Sequence, residues 1–150
     1  MITGEHRVSL DDKGRLLIPS KIRNELSEGS IVLTKGIDKC LWMFPLVEWE
    51  RIASLIMEKT SAFNRTGRAL QRRIIAPSQE IEIDKAGRIN IGNILREYAD
   101  LTKDCVVLGV KNYLEIWDET RYKEFIDNSD SDFLEAAEEL GDFLNPQQIG

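Results

Sequence analysis

Apolar and polar residues alternate over residues 6–10 and again over 80–83, the period of a strand that buries one face. Each run leads into a glycine-containing turn and then a second short apolar stretch, 16–18 and 89–91. Gly14 and Gly87 suit a turn that demands a positive φ. Pro19 and Ser20 open a short helix, SKIRNEL, with Ile22 and Leu26 on one face, and NILREYA is its counterpart. SIVLTKGI and CVVLGV are rich in β-branched residues and predict strands, as do CLWMF and YLEIW. Pro45 and Asp118 start longer helices. In the first of these, Leu46, Trp49, Ile52, Ala53 and Ile56 fall on one stripe at helical spacing.

The same series of elements thus occurs twice. Shifted by 73 residues, positions 9–52 lie over 82–125 without a gap. Asp11 falls on Asp84, Gly14 on Gly87, Arg15 on Arg88, Ile18 on Ile91, Arg23 on Arg96 and Leu41 on Leu114. Class matches fill the intervals: Leu16 over Ile89, Met43 over Ile116, Phe44 over Trp117, Trp49 over Tyr122. This register reads as an internal duplication. It divides the chain into a first repeat at 5–52, a helical connector at 53–79, a second repeat at 80–125 and an acidic tail at 126–150. A unit of about 45 residues buries little surface alone, so two units are expected to share one core as a pseudo-dimer.

Charge adds an asymmetry. The net charge of the 150 residues is −6, but residues 1–75 carry 13 Lys/Arg against 9 Asp/Glu, and 76–150 carry 7 against 17. Past Lys123 there are 8 acids and no base. A mildly basic body with an acidic tail is compatible with a polyanionic partner. No apolar run reaches the roughly 18–20 residues of a membrane span, and the first residues lack the pattern of a secretory signal. Cys40 and Cys105 stand apart, so a reduced, cytoplasmic protein is the default.

Little points to catalysis. His6 is the single histidine and lies in an expected strand; no Ser–His or Cys–His pair, phosphate-binding loop or zinc-spaced ligand set occurs. No enzyme activity, cofactor or metal is expected. The turn arginines are different. Arg15 and Arg88 each follow a turn glycine, and a planar guanidinium can grip a phosphate or read guanine bidentately. Each can equally pair with its own Asp11 or Asp84 and do no more than stiffen the turn. On the residues alone the two readings stand level. A second basic feature is FNRTGRALQRRII, residues 63–75, within a stretch free of acids between Glu58 and Glu80. As a helix it puts Arg65, Arg68 and Arg72 on one face and Phe63, Leu70 and Ile74 on the other. Such a helix can meet DNA, anionic lipid or a neighbour's acids, or be a solvated face on a linker. Gly67 weakens it by roughly 1 kcal/mol. Trp42, Trp49 and Trp117 are expected in the core or an interface. The tail segment DSDFLEAAEELGDFL is expected as a helix with Phe133, Ala136, Ala137 and Leu140 on one side.

The paired DDKGR and DKAGR turns, with CLWMFPLVEWERI, LREYADLTKDCVVLGV and LEIWDETRY around them, closely resemble MraZ proteins, bacterial transcription regulators built of two SpoVT-AbrB-type repeats. The resemblance covers about residues 1–125. It implies an α+β, mainly β fold: two tandem AbrB-like swapped-hairpin repeats forming a pseudo-dimeric β-barrel core with peripheral helices. It further implies ring-shaped homo-oligomers that bind double-stranded DNA at G-rich direct repeats in the promoter of the division and cell-wall gene cluster, usually as repressors, in the cytoplasm and at the nucleoid rather than at a membrane. DNA contact then maps onto Arg15 and Arg88, with Lys13 as a phosphate contact. The counterpart of Lys13 is Ala86, so the basic residue of the second turn shifts to Lys85. Asp11, Gly14, Asp84 and Gly87 support the turns. Pro19 is replaced by Gly92, which fixes the second helix start less firmly. The rival reading is a protein-interaction or assembly module, or an AbrB-like antitoxin without its own operator.

Overall fold

A computed structural model describes residues 1–26 and 30–144. Residues 27–29 of the expected first repeat and 145–150 of the expected tail lie outside them. Residues 1–119 make one compact unit; the second begins at Thr120.

The first unit opens with β1 (Ile2–Ser9) and β2 (Arg15–Leu17), joined by the first turn, then α1 (Ser20–Glu25), β3 (Ile31–Lys35), β4 (Leu41–Pro45) and α2 (Leu46–Lys59). α3 (Arg65–Leu70) and a π-helical turn, Gln71–Ile75, lead into the second series: β5 (Gln79–Ile81), β6 (Arg88–Asn90), α4 (Asn93–Tyr98), β7 (Asp104–Lys111) and β8 (Leu114–Asp118). The helix starts follow the expected punctuation: Pro19 and Pro45 are the caps of α1 and α2, positions where a fixed φ is pre-organised and a missing N–H costs nothing.

Pairing crosses between the repeats. The main sheet is antiparallel, in the order β1-β7-β8-β4-β3-β5, and β2 pairs with β6 in a separate two-stranded ribbon. Thus β1, β2 and β4 each pair with a strand of the second series, and β3 with β5. In the ribbon Leu16 lies opposite Ile89, and at the sheet centre Trp42 lies opposite Glu115. Both pairs are separated by the repeat offset. The pseudo-twofold that exchanges the repeats therefore passes through these two points, and it exchanges β1·β7 with β5·β3. The pairing among the described residues runs from edge β1 to edge β5 and records no closed barrel.

The core is built of repeat-equivalent pairs. Leu16 with Ile89, Ile18 with Ile91, Ile22 with Leu95, Leu41 with Leu114, and Met43 with Ile116 are all buried in one cluster. Each repeat supplies half of this cluster, so neither half has a core without the other. A second cluster joins Val32, Phe44, Trp49 and Ile74 to the apolar stripe of α2, the stripe expected from Leu46, Trp49, Ile52, Ala53 and Ile56.

Two expectations for residues 63–75 are corrected. The helix does not run through: α3 passes into the π turn, where Ala76 N–H reaches back to Gln71 O. The wider turn coincides with a tertiary bond, the buried Thr34 hydroxyl donating to Ile74 O at 2.6 Å. Phe63 does not join Leu70 and Ile74 inside; it is 98% exposed. Gly67, read as a weak point, is buried, and a Cβ there would stand 2.4 Å from Ser61 O. Close backbone approach selects the glycine.

α5 (Glu119–Asn128) starts at the last residue of the first unit and leads to α6 (Asp130–Leu144) in the second, with no buried residue in either. The expected tail helix is present, with its apolar side uncovered.

Candidate nucleic-acid interface

The ribbon β2·β6 places the two turns. Strand alternation turns Leu16 and Ile89 into the core and leaves Arg15, Leu17, Arg88 and Asn90 on the outward face. Arg15 stands opposite Asn90, and Leu17 opposite Arg88. The two arginines are thus diagonal neighbours on one surface, with backbone positions about 7–8 Å apart.

Each turn is held by its own aspartate. Asp11 Oδ1 accepts the backbone N–H groups of Lys13 at 3.0 Å and Arg15 at 2.8 Å, and Oδ2 accepts Arg15 Nε at 2.8 Å. Asp84 repeats this: Oδ1 accepts Ala86 N–H and Arg88 N–H, each at 2.9 Å, and Oδ2 accepts Arg88 Nε at 3.3 Å. The N–H of Arg15 holds the Asp11 carboxyl below its ordinary value, and the N–H of Arg88 does the same for Asp84. Both salt bridges are about one-third exposed, so they contribute geometry more than stability. The aspartate engages each guanidinium through Nε. It fixes the rotamer and leaves the two Nη groups for a ligand. The two readings of these arginines are therefore compatible in one geometry.

Gly14 and Gly87 have φ of 79° and 83°, a region costly for residues with a Cβ. They also carry the cross-brace between repeats. Ile91 N–H donates to Gly14 O at 2.9 Å, and Ile18 N–H donates to Gly87 O at 2.8 Å. Lying over each glycine is an arginine of the other repeat. A Cβ on Gly14 would sit 1.5 Å from Arg96 Nη1, and one on Gly87 would sit 2.6 Å from Arg23 Cζ. Arg23 Nε donates to Ile18 O and Arg96 Nη1 to Ile91 O, both at 2.9 Å. Arg96 also donates to Asn93. Four arginines therefore surround one ribbon. Sequence reasoning assigned roles to Arg15 and Arg88 and left Arg23 and Arg96 without one. Their signal was identity across the repeats, but although their hydrogen bonds stay within their own repeat, each lies over the turn glycine of the opposite one, which no spacing along the chain encodes. Lys13 and Lys85 sit exposed at the turn tips.

The other chemistry-bearing residues are packed away from this surface. Burial pushes the Cys40 thiol well above its ordinary value and the Cys105 thiol up to about 12, so both are poor nucleophiles. His6 is half-buried in β1 beside Gly4, and among the described residues its Nε2 has no hydrogen-bond partner. Trp117 is buried and Trp42 partly so.

The family described as "MraZ protein, putative antitoxin-like" matches the chain twice, over residues 1–73 and 74–144. The protein named transcriptional regulator MraZ of Treponema denticola is 47% identical over 141 residues, 94% of this chain and 98% of its own length. Its namesakes from two strains of Treponema pallidum are each 46% identical over 140 residues, covering 93% of this chain and 94% of theirs.

Proposed function

This chain belongs to the MraZ family, and from that premise we propose that it is a sequence-specific DNA-binding transcription regulator and not an enzyme. It acts as a repressor of the division and cell-wall gene cluster, in the cytoplasm and at the nucleoid, and reads G-rich direct repeats as a homo-oligomeric ring. Arg15 and Arg88 contact the bases, Lys13 and Lys85 the phosphates. One observation carries this reading: two equivalent arginines, each fixed by its own aspartate, stand on the outward face of one ribbon about a pseudo-twofold. Their diagonal spacing of about 7–8 Å is close to two steps of about 3.4 Å along a DNA strand, so both fit one major groove. The relatives carrying the name transcriptional regulator point the same way. The cross-repeat pairing supports two AbrB-type swapped-hairpin repeats, 5–52 and 80–125, around a pseudo-dimeric barrel-like core, with 53–79 as connector and 126–150 as tail.

The test is binding to the DNA upstream of the chain's own coding region, read by fluorescence anisotropy. Losing one bidentate base contact costs about 1–3 kcal/mol. Arg15→Ala and Arg88→Ala should each weaken specific binding at least several-fold, with melting temperature and oligomer mass unchanged. A folded variant that binds as tightly as the parent would reduce the arginines to turn struts. The family's description as antitoxin-like supports a second reading, a protein-interaction module without its own operator; absence of any operator shift by the parent protein would favour it.

A further inference from the structure

The helix α6 and the β3–β4 end of the first unit are complementary in two independent respects. Within α6, Phe133, Leu134, Leu140, Phe143 and Leu144 are each more than half exposed. At 100° per residue these positions, with Ala136, Ala137 and Gly141, fill one half of the helix surface. Five acids, Asp132, Glu135, Glu138, Glu139 and Asp142, crowd the remainder, while Asp130 in the first turn falls at the apolar half. An apolar half-cylinder of this size on a free surface marks a site of association.

On the first unit, an apolar groove of about 270 Å³ opens between α2, the π turn and the β3–β4 hairpin, lined among others by Ile37, Leu55, Ile56, Leu70, Ile74 and Tyr113. It lies just below the range of about 300–1,000 Å³ typical of small-molecule sites. Its walls are almost wholly apolar, so it suits side-chain anchors of a protein partner. Ile37 and Leu55 at its mouth are 64% and 44% exposed.

The end of the hairpin that carries Ile37 is cationic, with Lys35, opposite Leu41, and Tyr98 on the other face of the sheet. Ile37 lies between Lys35 and Lys39 in the chain, and Ile74 follows Arg73. These three cations converge on one ring: Lys35 Nζ, Lys39 Nζ and Arg73 Cζ stand 5.1, 4.6 and 5.2 Å from the centroid of Tyr98. Arg73 donates to the Tyr98 hydroxyl at 2.6 Å, and that hydroxyl donates to Gly36 O at 2.7 Å. Among the described residues none of the three is in an ion pair. One acid, Asp38, shares their hairpin and leaves the cluster positive. Like charges held within about 10 Å of one another repel at low salt, and an anionic partner relieves that repulsion. The second repeat has no such cluster, since Leu108, Asn112 and Glu25 replace Lys35, Lys39 and Tyr98 under the repeat offset. Each chain therefore carries one such socket and one such helix.

We propose that the apolar half of α6 of one copy of this chain docks in the groove of the next copy, its acids toward Lys35, Lys39 and Arg73. A contact between two different patches of identical chains is heterologous, and repetition closes it into a ring when the rotation permits. The proposal rests on the self-assembly part of the function proposed above and names the surface that performs it.

The test uses the full chain and light scattering after size exclusion. Phe133→Ser/Leu140→Ser disables the helix, and Ile37→Glu/Leu55→Glu disables the socket. Each should lower the mass to that of one chain with the far-ultraviolet circular dichroism unchanged. An equal mixture of the two should form a one-to-one dimer, because only one working helix and one working socket remain per pair. Should the socket variant misfold, Lys35→Glu/Lys39→Glu leaves the apolar core untouched. It should weaken assembly several-fold at low salt and much less at high salt. Parental mass in the helix variant and in a folded socket variant overturns this surface, as does a mixture of folded single-chain variants that does not dimerise. A parent protein that itself runs as a single chain overturns the self-assembly reading and this surface together, while DNA binding by the turns stands or falls separately.

Discussion

Asp11 and Asp84 show how one side chain can organise a site it need not touch. Each carboxylate gathers two backbone N–H groups and the Nε of the arginine four residues on. These bonds favour the charged form, so both folded values lie below that of an unfolded aspartate, about 3.9. Their contribution to stability is therefore fully present above the unfolded value and is lost as pH falls through the depressed folded values. Carboxyl resonances followed by NMR should titrate below the ordinary range for both residues. Asp11→Asn should flatten the acid limb of the stability curve below about pH 4. Titration of both at the unfolded value would mean the turn bonds do not persist in solution. Arg23 and Arg96 belong to the same scale. They lie over the glycines of the opposite turn while donating to Ile18 O and Ile91 O of their own repeats.

At the scale of elements, propensity and packing disagree at α3, and packing decides. A glycine inside a helix costs roughly 1 kcal/mol relative to alanine, so the pattern alone argues that Gly67→Ala stabilises. The helix instead packs against the backbone of residue 61, where an added Cβ would come within 2.4 Å of Ser61 O and 2.8 Å of Ser61 N. Backbone cannot swing aside as a side chain does, and overpacking of this kind costs about 1–3 kcal/mol. Gly67→Ala should therefore lower stability in urea unfolding, against its helix propensity. An increase would show that α3 can slide without loss. The π turn that follows has the same lesson. Residues 63–75 keep a helical pattern of arginines, but the turn widens where Ile74 O meets the hydroxyl of Thr34, 40 residues away.

For the whole molecule, the proposed function raises the question of how a chain of net charge −6 would hold a polyanion. The four ribbon arginines are gathered at one end of the pseudo-twofold, and most of the acids lie beyond residue 76. Local potential, rather than net charge, governs the encounter. A ring of such ribbons gains avidity of roughly 10²–10⁴ over one ribbon when successive DNA repeats meet successive copies on one face of the duplex. B-DNA turns once in about 10–10.5 bp. Inserting about 5 bp between repeats should therefore abolish tight binding, and about 10 bp should partly restore it. Affinity that ignores the spacing, or a single repeat bound as tightly as three, would remove the ring as the reading device.

The sequence by itself determined the duplication, the order of the repeat strands and helices, the turn glycines and the spacing that sets Asp11 four residues before Arg15 and Asp84 four before Arg88. These are local matters, set by side-chain periodicity, by the φ that glycine permits and by groups within four residues of each other. Only the tertiary structure decided that β1, β2 and β4 pair across the repeats, that Arg23 and Arg96 lie on the other repeat's turns, that Phe63 faces outward, and that Gly67 is required by the backbone beside it. Each of these joins parts of the chain or sets a side chain's final surroundings. Hydrophobic burial drives such contacts without direction or sequence address, so the close fit of a shared core, rather than any pattern along the chain, selects among them.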